Sequence, residues 1–274
     1  MLTINDKEFQ RLVKFVHQNY GIDLSKKRQL ITGRLSNTIV SMGFNSFEDY
    51  VEYLINKGKP EDRELMLNKL TTNYTYFMRE EAHFKLFSET ILPYLEQTKK
   101  DKVLSIWSAG CSSGEEPYTI SIILKEYFAN KPGWDTRVLA TDISQNVLRS
   151  AVNAVYDEDS LKELSPAWKK KYFRPGEAPG TYHVTQDLRN NVIFRTFNLM
   201  DPIKFRLKFD VIFCRNVMIY FDQETKEALV RRFFDATNDG GYLLIGHSEG
   251  LNKATTPYNY LKPATYRKVS SKTP

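Results

Sequence analysis

Five short runs between residues 103 and 246 constrain this chain most: VLSIW (103–107), RVLAT (137–141), VIFRTF (192–197), DVIFC (210–214) and YLLIG (242–246). They are continuously apolar, rich in β-branched and aromatic residues, and separated by stretches long enough for a helix or an insert. Continuous rather than alternating apolarity suits strands covered on both faces, so the pattern predicts an α/β domain on a doubly wound parallel sheet. Tyr172 to Asn191 departs from it. There Pro175, Gly176, Pro179 and Gly180 precede the alternating TYHVT, which reads as a small antiparallel β-subdomain inserted in a crossover, residues 172–191.

Residues 1–72 read as an all-helical domain. Phe9, Leu12, Val13 and Val16 recur at helical spacing between a capping Asn5 or Asp6 and a terminating Gly21. A second helix is expected from near Leu24 past Leu35. Ser46 can cap a third, with Tyr50, Val51 and Leu54 inward, and the break at Gly58-Lys59-Pro60 leads into a fourth through Leu65 to Leu70. No acidic residue lies between Ser25 and Phe47. Lys26, Lys27, Arg28 and Arg34 therefore give the second helix an unbalanced basic surface, which is either a solvated face or a docking surface for an acidic partner. Residues 73–98 read as a linker and helix, and 99–274 as the α/β domain.

The length of 274 residues fits two modest domains, and 41% hydrophobic with 26% charged residues excludes wholesale disorder. No apolar run approaches the ~18–20 residues of a membrane span, and the charged amphipathic start MLTINDKEFQRLVKF is unlike a signal peptide, so a cytosolic protein without membrane insertion is expected. Cys111 and Cys214 lack CxxC or Cys/His spacing, and His17, His83, His183 and His247 are scattered, so no metal is expected. The balance of 39 basic against 33 acidic residues, +6, permits an anionic partner. A monomer is the default expectation.

In open α/β sheets ligands bind beyond the carboxyl ends of the strands. After the first strand comes SAGCSSGEEP (108–117), whose glycines let the backbone approach a ligand and whose Pro117 suits a helix start. It lacks G-x-G-x-x-G spacing, and Glu115 and Glu116 at a helix mouth would repel a pyrophosphate. The same acids suit a positively charged ligand such as the ammonium and sulfonium of S-adenosylmethionine, or simply favour the helix dipole. Asp142 ends the second strand, placed either to accept from two ribose hydroxyls or to cap the helix beginning near Ser144. Asn198 and Arg215-Asn216 follow two later strands, as ligand contacts or as turn residues.

LTTNYTYFMRE (70–80), SAGCSSGEEPYT (108–119), ATDIS (140–144), FNLMD (197–201), DVIFCRNVMIYFD (210–222) and GGYLLIGHSE (240–249) together resemble the CheR-type chemotaxis receptor methyltransferases. The resemblance runs from the N-terminal helices to about residue 268. It implies a helical domain followed by a Rossmann-like class I methyltransferase domain with an inserted β-subdomain, using S-adenosylmethionine to methylate glutamate side chains in the acidic helical region of transmembrane chemoreceptors. It further implies cofactor contacts from Asn73, Thr75, Arg79, Glu115, Asp142, Asn198, Leu199, Arg215 and Asn216, and a reacting-centre role for Tyr220. Lys26, Lys27, Arg28 and Arg34 become the residues expected to meet the receptor. The stretch FSETILPYLEQTKK carries no arginine where some members have one near the reaction, so no second catalytic residue is assigned.

Two other readings compete. A nucleic-acid methyltransferase suits the positive charge, but the chain has CRNVMIYF where amino-methylating DNA enzymes carry an N/D-P-P-Y/F loop, and its aromatics are not interleaved with basic residues in one stretch. A non-enzymatic S-adenosylmethionine sensor would not need the reacting-centre tyrosine. The loop RPGEAPGTYHV is short, so tethering of a receptor peptide to the β-subdomain is not expected.

Overall fold

The computed structural model describes residues 2–269. The Asn5 side chain accepts the Glu8 N–H at 2.9 Å while Glu8 accepts that of Asn5 at 2.7 Å, a reciprocal cap that starts α1 (Asp6–Tyr20). Gly21, in the left-handed region, closes it. The second helix starts later than expected. Asp23 accepts the Ser25 N–H in a tight turn and Ile22 pairs with Phe221, so the chain reaches α2 (Arg28–Ser41) only after Leu24 has entered the core. Ser46 caps α3 (Phe47–Asn56), which buries Tyr50, Val51 and Leu54, and Pro60 takes the first position of α4 (Pro60–Leu70).

A connecting segment leads to α5 (Glu81–Leu86), which runs through a wider turn at Phe87–Ile91 into α6 (Leu92–Thr98). Then come β1 (Ile106–Ala109), α7 (Glu115–Tyr127), β2 (Val138–Asp142) and α8 (Gln145–Asn153). The inserted part follows: β3 (Val155–Asp157), α9 (Pro166–Tyr172), β4 (Phe173–Pro175), β5 (Thr181–Val184) and α10 (Gln186–Arg189). The chain continues with β6 (Val192–Thr196), β7 (Phe209–Cys214), α11 (Gln223–Ala236), β8 (Thr237–Ile245), β9 (Asn259–Lys262) and β10 (Thr265–Arg267).

The main sheet has the order β6-β2-β1-β7-β8-β10-β9, parallel from β6 to β8. It differs from an all-parallel sheet at one end, where β10 lies antiparallel between β8 and β9. A reversed pair needs only the short turn at Pro263-Ala264, whereas a parallel one needs a crossover of a dozen residues or so. The small sheet, β3-β5-β4, is antiparallel. Its strand β3 lies before the 172–191 segment, so the inserted sheet draws on residues from Val155 onward.

Alternate residues of the central strands enter two cores. Ile106, Val211, Phe213 and Leu244 pack with α5, α6 and α7, while Trp107, Ile212, Cys214 and Leu243 face the other way. That second core continues without a break into Leu12, Ile31, Leu35, Tyr50 and Leu67 of the helical domain. The helices are thereby seated on the sheet, and α4 with its following segment hangs over the carboxyl ends of the strands. No helix among the described residues is long and apolar enough to cross a membrane.

Candidate active site

The strand tips singled out from the sequence converge on one cavity of about 440 Å³ beyond the carboxyl ends of β1, β2, β6 and β7, roofed by residues 71–76. That size is ordinary for a small-molecule site. Asn73, Thr75, Arg79, Asp142, Asn198, Leu199, Arg215, Asn216 and Tyr220 all line it. Gly110 turns the chain out of β1 at φ +88° and lines the cavity, and Gly114 at φ +99° starts α7.

Asp142 accepts the backbone N–H of Ser112 at 2.9 Å on one oxygen and of Ser144 at 3.0 Å on the other. Burial raises its pKa, and those backbone donors oppose the rise. Each oxygen keeps a second lone pair for a hydroxyl donor, as a ribose diol requires. The helix cap that Asp142 could have supplied comes instead from Ser144, whose hydroxyl accepts the Val147 N–H.

Glu115 is not among the lining residues. Its carboxylate accepts the Ser113 hydroxyl at 2.7 Å and is buried, turned away from the cavity that the sequence reading placed it in. Consecutive helical residues point about 100° apart, and Glu116 is the one that lines the cavity. Glu116 accepts the Ser108 hydroxyl at 2.6 Å and the Arg215 guanidinium at 3.1 Å. Burial raises its pKa against the pull of Arg215.

Sequence reasoning missed Glu80. It sits at φ +57°, and its carboxylate meets the Arg215 guanidinium at 3.3 Å, the Asn216 amide at 3.2 Å and the His247 N–H at 3.2 Å. Burial would raise its pKa, but the nearby His83 ring, the Arg215 charge and hydrogen bonds from Asn216 and His247 hold it well below the usual carboxylate range. The only signal was its place at the end of the LTTNYTYFMRE motif. Glu80, His83 and His247 bring ligand-type atoms within 4.8 Å of one another, a grouping their sequence spacing does not suggest. Arg215 supplies the positive charge beside that carboxylate. Glu249, also missed, accepts the N–H groups of Gly246, Asn216 and Ile219 and so shapes the loop after β7.

Arg79 donates to the Tyr74 carbonyl at 2.7 Å, and Asn198 donates to the Asn19 carbonyl of the helical domain at 2.8 Å. The Tyr220 hydroxyl donates to the Thr72 carbonyl and accepts the Thr72 N–H, each at 3.1 Å. Its single proton is thus held by the Thr72 carbonyl in this arrangement. The four basic residues of the expected docking face separate into two kinds. Lys26 and Lys27 are exposed. Arg28 pairs with Asp6 at 2.5 Å and lies over the Phe9 ring, while Arg34 donates to the carbonyls of Lys69 and Thr71, satisfying the end of α4.

A parallel sheet with one reversed strand near its edge, an acid at the tip of the second strand and a cavity with both acidic and guanidinium walls fit an S-adenosylmethionine-dependent methyltransferase, the class that the family match below shows. The chain belongs to the CheR methyltransferase family: residues 7–71 match that family's all-alpha domain and residues 73–267 its SAM binding domain. It is 41% identical over 273 residues to a chemotaxis protein methyltransferase of Borreliella burgdorferi, covering 97% of this chain and 96% of that one. It is 36% identical to the Escherichia coli chemotaxis protein methyltransferase, covering 92% of this chain and 87% of that one. To that of Salmonella typhimurium it is 35% identical, over 97% and 91%.

Proposed function

We propose that this methyltransferase esterifies glutamate side chains of bacterial chemoreceptors, acting in the cytosol as a monomer. The observation that supports it is the two-domain cavity, with Asp142, Glu116, Arg79 and Asn198 on its walls and exposed Tyr74 and Ile219 at its rim. Those side chains fit S-adenosylmethionine: Asp142 the ribose hydroxyls, Glu116 the ammonium, Arg79 the carboxylate, and Asn198 with Leu199 the adenine. Its chemistry, once bound, is an electrophilic methyl group on a sulfonium.

The acceptor is a carboxylate with an ordinary pKa near 4.3, anionic at neutral pH, so no general base is required of the protein. None of the cavity groups is asked to move a proton. Their task is to orient the reactants and exclude water while leaving the acceptor its charge. Lys26 and Lys27 suit an acidic receptor helix by simple charge, a contact that salt should weaken. Arg28 and Arg34 would join only by giving up the partners they already hold.

The test is transfer of labelled methyl from S-adenosylmethionine to receptor cytoplasmic fragments, followed by mild alkali. Volatile methanol, lost when the receptor glutamates become alanine, supports the reading; alkali-stable label overturns it in favour of nitrogen methylation.

A further inference from the structure

The cavity roof is a strap anchored at both ends, with Arg79 also holding the Tyr74 carbonyl. At one end Arg34 holds the carbonyls of Lys69 and Thr71. At the other, Phe77 is fully buried between the rings of Tyr156 and Phe173, with centroids at 5.0 Å and 5.3 Å, and the Met78 N–H reaches Thr119 at 3.3 Å. Between these anchors Thr72, Asn73 and Tyr74 are exposed, and Tyr74 keeps 65% of its surface.

Two side chains from the strand tips hold that middle section by its backbone. The Tyr220 hydroxyl takes both backbone polar groups of Thr72, accepting its N–H and donating to its carbonyl, and the Ser112 hydroxyl donates to the Asn73 carbonyl at 2.9 Å. Ser112 also gives its own N–H to Asp142. One residue therefore joins the group placed for the ribose to the strap above it. Thr72, Asn73, Ser112 and Tyr220 all line the cavity, so these contacts tie its roof to its wall.

We propose that Tyr220 is a positioning residue which, with Ser112, clasps the strap over the bound cofactor and sets how fast cofactor and product exchange. The inference rests on the cofactor assignment of the proposed function and not on its receptor. It assigns the hydroxyl to the strap, because donation to an acceptor carboxylate would require releasing the Thr72 carbonyl.

Tyr220→Phe and Ser112→Ala test it. Each removes clasp bonds that are individually worth a net factor of roughly 3–10. Binding of S-adenosylhomocysteine, measured by calorimetry and by its dissociation rate, should weaken by about 3–10-fold in each variant, with dissociation faster. In methyl transfer the KM for S-adenosylmethionine should rise by more than kcat falls, and an unchanged melting temperature excludes general unfolding. A Tyr220→Phe enzyme with unchanged product affinity and kcat reduced about a hundredfold or more would place the hydroxyl on the acceptor and overturn the proposal. Unchanged affinity and dissociation in both variants would overturn it as well. The binding arms need no receptor, so they stand apart from any failure of the receptor assignment.

Discussion

Glu80 and Arg215 form a buried ion pair at 3.3 Å, with side-chain exposures of 15% and 2%, at the junction of the roof segment and the loop after β7. The guanidinium also reaches Glu116 and the backbone carbonyl of Arg79. Removing the Glu80 charge leaves the buried Arg215 with Glu116 as its one remaining acidic partner and strips a desolvated guanidinium of half its compensation. Glu80→Gln is therefore expected to lower stability by about 3 kcal/mol near neutral pH. The sign of the pH dependence follows from the depressed folded pKa. Stability from Glu80 is present above its ordinary value of 4.5 and is lost as pH falls below that toward the folded value. Urea unfolding of both proteins should show a gap that narrows below pH 4.5; a gap independent of pH would remove the ion pair as its cause.

Asp142 and Glu116 behave in the opposite sense. Burial raises both, so the folded protein carries them ionised at a cost, and a ligand that offers hydroxyl or ammonium donors favours the charged form. Affinity for S-adenosylhomocysteine is expected to rise with pH over the range just above where ordinary carboxylates titrate. Asp142→Ala should weaken binding by roughly 10–100-fold, the effect of losing hydrogen bonds to a charged acceptor. Calorimetry across pH checks both; a flat affinity profile in the native protein would show that neither acid meets the ligand.

Much of this architecture was legible in the sequence, for reasons visible in particular residues. The strand runs are rich in Val, Ile and Phe because both faces of β1, β2 and β7 are covered, and Asp142 stands out by ending such a run. Which of Glu115 and Glu116 faces the cavity was not legible, since it depends on where Gly114 starts the helix. Arg28 and Arg34 read as one basic face because their partners, Asp6 and the end of α4, lie 22 and 35 to 37 positions away. The pair β9 and β10 escaped notice because each is short and β9 is exposed along its length. Glu80 gave only a motif-edge signal, because its role is created by three loops meeting in space.

The split within the basic face makes a further prediction. Lys26→Ala with Lys27→Ala touches only exposed side chains and should leave stability within ~0.5 kcal/mol and cofactor affinity unchanged. The KM for a receptor fragment should rise severalfold, less so at high salt. Arg34→Ala removes two bonds to backbone carbonyls and should cost about 1 kcal/mol and weaken cofactor binding as the strap loses its anchor. Thermal melts and methanol-release kinetics separate the two kinds of residue. If the lysine variant methylates the fragment with native KM at low salt, docking lies elsewhere.

Gly110 offers the sharpest steric test of the loop that holds Ser112 and Asp142 together. At φ +88° an L side chain is strained, and a Cβ built there would collide with Cγ2 of Val217. Gly110→Ala should therefore destabilise the protein by about 2 kcal/mol, combining left-handed backbone strain with overpacking. By displacing the Ser112 N–H it should also weaken cofactor binding. Adding Val217→Ala removes the collision and leaves the strain, so the double variant should recover part of the stability and most of the affinity. Unfolding and binding measured on the single and double variants distinguish these contributions. No recovery in the double variant would mean that backbone conformation alone, and not contact with the loop after β7, fixes the position of Ser112.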